Sequence, residues 1–443
     1  MQALYDSLKK LIKDLFRIAT SRQTLQQHLR QPLYANSIYI LVHGSITALT
    51  GMIFWVVAAR LYTAEEVGLG SATLSVISLL GMIALLGFNF SIIRFLSGSG
   101  EESNRLINTC MTISGLVAAA AAVIFLLGVN VWSPALSFIS RNGIYFSTFV
   151  IFAVITTLLN ILGHTYIAKR RAGYLVGQSV IFNILKVVLV GVLALFFGYF
   201  GMLGSWVLAA FFSITVSVFL FLPRIQKDYH PIPTISGKMT GQIFSFSILN
   251  YLSNLLWEAP TFLLPVIVVN LLGAEQNAYF YISWALGGLL REIPRSISLS
   301  LFAEGSNDEE SISVNVRRSL KSNIVLLIPA IILVFAIGDK LLLLFGREYS
   351  EQGTKLLWLM AAAGIPISVN FIYISIKRVE KKLTGIVTLA GFVAAVTVAL
   401  SYVLLPRMGL TGAGIAWLTA HGAAAIFIVG MYLKNRISKQ PVV

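Results

Sequence analysis

The chain has 443 residues, of which 57% are hydrophobic and 12% charged, with a mean hydropathy of +0.83. A soluble domain carries about twice that charged fraction, so the composition excludes a soluble protein and predicts a polytopic all-α membrane protein. The formal net charge of +15 is read as membrane topology rather than as a nucleic-acid footprint, and a single cysteine, Cys110, excludes an intrachain disulfide.

Taken in order, the chain opens on Leu4, Leu8, Leu11, Ile12, Leu15 and Phe16 at helical spacing, interleaved with Lys9, Lys10, Lys13 and Arg17. No apolar core or small-residue cleavage site follows, so residues 1–34 read as an amphipathic helix on the anionic membrane surface rather than a signal peptide. Twelve apolar segments come next, at 36–59, 70–90, 106–129, 145–167, 174–197, 202–222, 243–271, 278–302, 323–345, 356–376, 383–404 and 412–433. Continuous runs of this length fit membrane helices and not the short alternating strands of a barrel. In the ninth, Asp339 and Lys340 favour an early end. With both termini cytoplasmic, 24 of the 33 Lys and Arg fall in inside segments and six outside, which is the asymmetry that orients membrane proteins. The remaining three, Lys186, Arg291 and Arg295, are placed within spans.

The chain also repeats. Residues 58–66 resemble 268–276 at an offset of 210; Lys169-Arg170 resembles Lys377-Arg378, and 201–204 resembles 409–412, both at 208; the acidic stretches 98–102 and 305–310 follow at a similar shift. Ordered matches at nearly constant offset predict duplication of a six-helix unit. The expected organisation is an N-lobe over 35–222, a cytoplasmic linker over 223–241, a C-lobe over 242–434 and a tail over 435–443. Six is even, so the lobes share one orientation and a pseudo-two-fold axis along the membrane normal.

Polar residues inside spans are the functional candidates. The eighth span carries Arg291, Glu292 and Arg295 beside Pro294. Arg291 and Arg295 share a helical face, and two cations at membrane depth suggest a site for an anion. The seventh carries Asn250, Asn254, Glu258 and Thr261 on one face, interrupted by Pro260 and Pro265; a proline frees backbone carbonyls that need partners. Glu258 is read as a counter-charge to Arg291 or as a titrating coupling group, and Glu292 as a second charge partner. In the fifth span Ser179, Asn183 and Lys186 share a face, so Lys186 is a further candidate cation. The competing readings are a fixed ion pair for Glu258 and Arg291, and snorkelling for Arg295 and Lys186. His43 and His164 read more readily as helix-packing groups. Residues 236–239 lack the phosphate-loop pattern, there is no HExxH or CxxC, and the loops are short; these features argue against an enzyme and call for no cofactor.

The first two spans, with the junction Ala59-Arg60-Leu61-Tyr62-Thr63-Ala64-Glu65-Glu66-Val67-Gly68 between them, resemble the polysaccharide transporter family of the multidrug/oligosaccharidyl-lipid/polysaccharide exporter superfamily. The resemblance implies the two-lobed fold of multidrug exporters and lipid flippases. It also implies translocation of a polyprenyl-diphosphate-linked oligosaccharide across the cytoplasmic membrane, through a cavity that is often cationic. Arg291, Arg295, Lys186, Asn250 and Asn254 are the expected substrate-binding residues on the physical argument above. Expected partners are the lipid-linked glycan and membrane lipids, with a polysaccharide polymerase or glycosyltransferases as protein partners; a monomer is the simplest state. Ion or membrane-potential coupling is left open. A cation-coupled multidrug exporter and a non-transporting scaffold of a glycan-synthesis complex are the competing functions.

Overall fold

The computed structural model describes residues 32–96, 102–307 and 312–437. Residues 1–31, which hold nearly all of the predicted interfacial helix, lie outside the described residues, as do 438–443 of the tail and most of the two acidic stretches. Among the described residues every regular element is helical. The first half of the chain forms α1 (Pro32–Leu61), α2 (Ala64–Ala84), a short α3 (Phe88–Phe95), α4 (Ser103–Leu127), α5 (Gly143–Ala168) and α6 (Gly173–Val216). The second half forms α7 (Gly237–Leu272), α8 (Ala274–Asn307), α9 (Ile312–Leu343), α10 (Arg347–Val379), α11 (Leu383–Met408) and α12 (Leu410–Ile437).

Ten helices among the described residues are long and apolar enough to cross a membrane, and the chain is a multi-pass membrane protein. The expectation of twelve differs at two places. The helical run Gly173–Ile225 counts once, although Gly198 at φ +46 folds it back on itself and it holds the fifth and sixth predicted segments. Helix α8 has the length, but with Glu275, Arg291, Glu292 and Arg295 it is not one of the ten. The predicted segment 70–90 is also corrected. Leu86 (φ +48) and Gly87 (φ +81) end α2 and turn the chain into α3.

Local chemistry explains the junction between α1 and α2. Thr63 Oγ1 accepts from the Glu66 amide at 3.2 Å and Glu66 Oε2 accepts from the Thr63 amide at 2.9 Å, a capping box that satisfies two orphan donors at the start of α2. Helix α8 is the hub of the bundle and packs on α2, α7, α9 and α10. Helix α7 packs on α2 and α11, so α2 meets both of the first two helices of the second half.

The backbone repeats with a register the sequence matches missed. Arg170 (φ +54) and Lys381 (φ +57) both adopt a left-handed conformation and lie 211 residues apart. The Arg171 amide bonds Tyr166 O at 2.8 Å, and the Lys382 amide bonds Lys377 O at 2.9 Å, at the same offset. Gly198 and Gly409 are both left-handed glycines at a hairpin, and a Cβ at Gly201 or Gly412 would lie 2.6 Å from the carbonyl oxygen of Leu193 or Leu404 respectively. These glycines are required by close approach of the two arms. The offset of 208 aligned basic residues and glycines of unequal roles; 211 aligns the turns themselves.

The two halves also reach across to each other in a reciprocal way. Arg60, at the end of α1, donates from Nε to Leu344 O at 3.1 Å and from Nη2 to Leu343 O at 2.9 Å. It thereby satisfies carbonyls left free at the C-terminus of α9. Asn270, its equivalent 210 residues on, accepts from the Ala135 amide at 3.1 Å and donates to Ser133 Oγ at 3.1 Å. The end of α1 therefore holds the chain that follows α9, and the end of α7 holds the chain that follows α4. Asn277 Nδ2 adds bonds to Gly68 O at 2.8 Å and Ser71 Oγ at 3.1 Å, and a Cβ at Gly68 would overlap the Ala274 carbonyl. This end of the bundle is closed.

At the opposite end the linker is shorter than predicted and tethered. Leu222–Ile225 is helical and α7 begins at Gly237, which leaves 226–236 as the connection. Asn104 and Asn108 donate to Asp228 O and His230 O at 3.0 and 2.8 Å, Tyr229 donates to Asn108 Oδ1 at 2.7 Å, and the Thr234 amide donates to Thr112 Oγ1 at 3.1 Å. The linker is thus tethered to α4 up to Thr234.

Combined Arg60→Ala and Asn270→Ala should open the closed end. In a Cys110→Ser background with Ser71→Cys as reporter, a water-soluble maleimide should label the double variant at least about tenfold faster than the parent, since two or more hydrogen bonds of roughly 1 kcal/mol each are lost. Equal labelling rates would contradict the latch.

Candidate functional site

Helices α2, α7, α8, α10 and α12 converge on a cavity of about 280 Å³. Its placement follows from the two glycines of α8. A Cβ at Gly287 would meet Met360 Sδ and Cβ at 2.7 and 2.8 Å, so this glycine lets α8 close on α10, whereas a Cβ at Gly288 would meet nothing. Gly288 therefore leaves the cavity open. One wall is aromatic: Trp284 and Trp417 stand edge to face with ring centroids 4.9 Å apart, and Tyr281 packs on Trp55 at 4.7 Å. Such pairs favour edge-to-face or offset geometry. Ser75 and Ser78 of α2 and Thr261 of α7 supply hydroxyls.

Arg291 enters this cavity with a partner. Its Nη2 lies 3.4 Å from Glu258 Oε2, its Nη1 donates to Thr261 Oγ1 at 3.3 Å, and the two charged side chains are only 15% and 16% exposed. The pairing expected between α7 and α8 is present. Both contacts are long for a charge-assisted bond, which is about 2.7–2.9 Å. The guanidinium is held loosely, with donors to spare.

A second cavity of about 170 Å³ lies on the linker side, lined by Asn254, Glu258, Arg295 and Arg378 among others. Glu258 lines this second cavity and reaches the first only through its contact with Arg291. Arg295 bonds Glu292 at 3.2 Å, with both side chains more than half exposed. Over the two cavities three guanidinium groups, Arg291, Arg295 and Arg378, face two carboxylates, Glu258 and Glu292, for a net charge of +1. Each carboxylate is already engaged by an arginine.

Two predicted site residues are placed elsewhere. Lys186 is 3% exposed and lines neither cavity. Its Nζ is 4.5 Å from the ring centre of Trp206, 5.1 Å from Phe182 and 5.5 Å from Phe54, and among the described residues it makes no ion pair. It is solvated by ring faces inside the first half, separated by Trp206 from a further cavity of about 280 Å³ that adjoins the first at Ser78 and Phe262. Asn250 is half-buried on α7 and lines neither cavity. His43 bonds Ser179 on another helix, as expected of a packing group, whereas His164 bonds the Asn160 carbonyl of its own helix.

Sequence reading missed three residues. Arg378 counted as a cytoplasmic loop charge, although its spacing of four from Ile374 and seven from Phe371 puts it on the cavity face of α10. Trp417 and His421, one turn apart on α12, were passed over. His421 is buried, meets Trp417 edge to face at 4.2 Å and accepts from Asn370 Nδ2 at 2.9 Å. An aromatic and a histidine at i and i+4 in an apolar helix was the available signal.

The family model for "Polysaccharide biosynthesis protein" matches residues 33–293, more than half of the chain. No curated protein matches the sequence. An inward-facing structure of a multidrug resistance MATE family transporter of the MOP superfamily aligns with a TM-score of 0.68 at 16% identity, over 90% of this chain and 98% of that one. The lipid II flippase MurJ in an inward closed conformation aligns with a TM-score of 0.68 at 14% identity, over 89% and 87%. A MOP superfamily transporter from Pyrococcus furiosus aligns at 0.56 and 14% identity, over 93% and 97%. At such identities the likeness establishes the fold, which is that of this superfamily.

The aromatic cage around Lys186 predicts a charge-specific response. Lys186→Met should leave the thermal midpoint in detergent unchanged or higher, because a buried unpaired cation is replaced by an apolar side chain of similar length. Lys186→Glu should lower it by several degrees, because a carboxylate is repelled by the same ring faces. Equal loss in both variants would contradict this account and return Lys186 to a paired, polar role.

Proposed function

The chain belongs to the polysaccharide biosynthesis protein family, and from that premise we propose that it is a flippase. It carries a polyprenyl-diphosphate-linked oligosaccharide from the cytoplasmic to the outer leaflet for surface polysaccharide biosynthesis, by alternating access. The observation that carries this reading is Arg291 within an aromatic-walled cavity, with two guanidinium groups lining the cavity next to it on the linker side. A diphosphate presents several acceptor oxygens to the fork of a guanidinium, which suits bidentate pairing. The contact to Glu258, long at 3.4 Å, is the one the incoming anion displaces. Glu258 then compensates charge when the site is empty and releases it when filled. Trp284 and Trp417 offer faces to sugar rings, and the lipid tail stays in the bilayer.

In this proposal residues 35–222 and 242–434 form the two lobes and rock about the joint near the start of α7. Both termini and the linker are cytoplasmic, following the Lys and Arg distribution, so the closed end faces outward. Arg295 and Arg378, at the cytoplasmic mouth, make first contact with the headgroup, and Arg291 holds it at depth. The protein acts as a monomer and without a cofactor.

The test uses purified protein in liposomes carrying a fluorescent polyprenyl-diphosphate oligosaccharide, with translocation read by an outside quencher. Arg291→Ala should slow the initial rate about ten- to a hundredfold, the equivalent of one charged hydrogen-bonding partner. A disulfide engineered between residues 60–67 and 273–277 should stop transport until reduced. Movement of a labelled cationic drug in place of the glycan would overturn the flippase reading in favour of an exporter. Full glycan transport by Arg291→Ala would remove the site assignment.

A further inference from the structure

The largest of the cavities described is not the central one. A groove of about 940 Å³ runs between the linker-side ends of α9, α10 and α12. Helix α10 separates it from the central site. Met360, Gly364, Ile367, Phe371, Ile374 and Arg378 recur at steps of three and four and line the two central cavities. Val369, Ile372, Tyr373, Ile376 and Lys377 line the groove instead. A ligand in the groove therefore cannot share a headgroup with the central site without passing through α10.

The groove is graded along its α10 wall, from Val369 and Ile372 to Lys377 and Glu380. Away from the helix ends its walls are Leu320, Val369, Ile372, Ile428 and Val429, and Leu320 and Val429 are 39% and 45% exposed. Towards the ends it carries Arg317, Lys377 and Glu380 beside the apolar Val314, Val316 and Met431. Glu380 is shared by two lysines, with Lys377 Nζ at 2.8 Å and Lys382 Nζ at 3.3 Å, and Lys377 also lies 5.4 Å from the ring centre of Tyr373. Among the described residues that line the groove, Arg317 and Lys377 outnumber the carboxylate of Glu380.

We propose that this groove binds an anionic membrane phospholipid, with the phosphate at Arg317 and Lys377 and one acyl chain along the apolar wall between α9, α10 and α12. The change from apolar to charged lining along α10 matches such a lipid standing in the leaflet at the linker end, and basic pockets between membrane helices suit phosphate headgroups. The substrate's own polyprenyl chain is disfavoured as occupant because α10 stands between the groove and the central arginines. The bound lipid braces the end of α10 whose opposite face carries Arg378.

Native mass spectrometry of the full chain, delipidated in detergent and titrated with phosphatidylglycerol or phosphatidylcholine of the same acyl chains, tests this. Phosphatidylglycerol should bind at least tenfold more tightly. Arg317→Gln with Lys377→Gln should weaken it roughly 30-fold, about fivefold for each basic side chain, without changing phosphatidylcholine binding. Glu380→Gln should strengthen it. Ile376→Trp, which fills the apolar wall and leaves every charge in place, should reduce binding of phosphatidylglycerol as well. Equal affinity for the two lipids, or no effect of the charge variants, overturns the proposal. Displacement of bound phosphatidylglycerol by an equimolar polyprenyl phosphate also overturns it and makes the groove a site for the substrate's tail.

Discussion

A guanidinium at membrane depth has to be solvated by protein, and the cost of leaving it in lipid is at least about 2.5–3.5 kcal/mol. The arrangement around Arg291 follows from that requirement. Helix α7 supplies Glu258 and Thr261 at 3.4 and 3.3 Å, α8 keeps Gly288 empty beside it, and α2, α10 and α12 close the walls of the resulting cavity. The same requirement explains why α8 is the hub of the packing. A helix with Arg291, Glu292 and Arg295 in its second half cannot face lipid on all sides, so it is surrounded by α2, α7, α9 and α10.

The two unusual cations illustrate two ways of burying charge. Arg291 is met by a carboxylate and a hydroxyl and keeps spare donors next to open space, which suits exchange of one anion for another. Lys186 is met by Trp206, Phe182 and Phe54, and Trp206 stands between it and the nearest cavity described. Aromatic faces compensate a compact ammonium through their quadrupoles but provide no route for a ligand. The central cavities carry a net charge of +1 rather than a strongly cationic lining, so the working charge of the site is set by whether Glu258 holds Arg291.

Much of this was legible in the sequence, because bilayer length and intramembrane charge are one-dimensional signals. The spans, the contact between Glu258 and Arg291, and the duplication can all be read from apolar runs, from i+4 spacing and from offsets near 210. The exact register of the repeat could not. Matching Lys169-Arg170 to Lys377-Arg378 aligned charge, whereas the structure aligns left-handed Arg170 with Lys381 and Gly198 with Gly409. Backbone conformation, not side-chain identity, is what the two halves share at those turns. Lys186 was misplaced for a related reason. Its face on α6 was evident, but which helix that face meets depends on the fold at Gly198, which returns Trp206 against it. Arg378 was hidden because a basic residue near a helix end reads as topology until the partner face of α10 is known. The reciprocal contacts of Arg60 and Asn270 were likewise invisible, since they join positions 284 and 135 residues apart in the chain.

The central claim is that Arg291 recognises a diphosphate through the paired donors of its guanidinium, and binding measured with the two headgroup charges separated tests it most directly. Isothermal titration of the detergent-solubilised protein with a short-chain polyprenyl diphosphate and with the corresponding monophosphate, in wild type and in Arg291→Lys, isolates the fork from the charge. The account predicts that wild type prefers the diphosphate by about tenfold or more, and that Arg291→Lys loses most of that preference while still binding both. Equal affinity of wild type for the two headgroups, or an undiminished preference in Arg291→Lys, would contradict it.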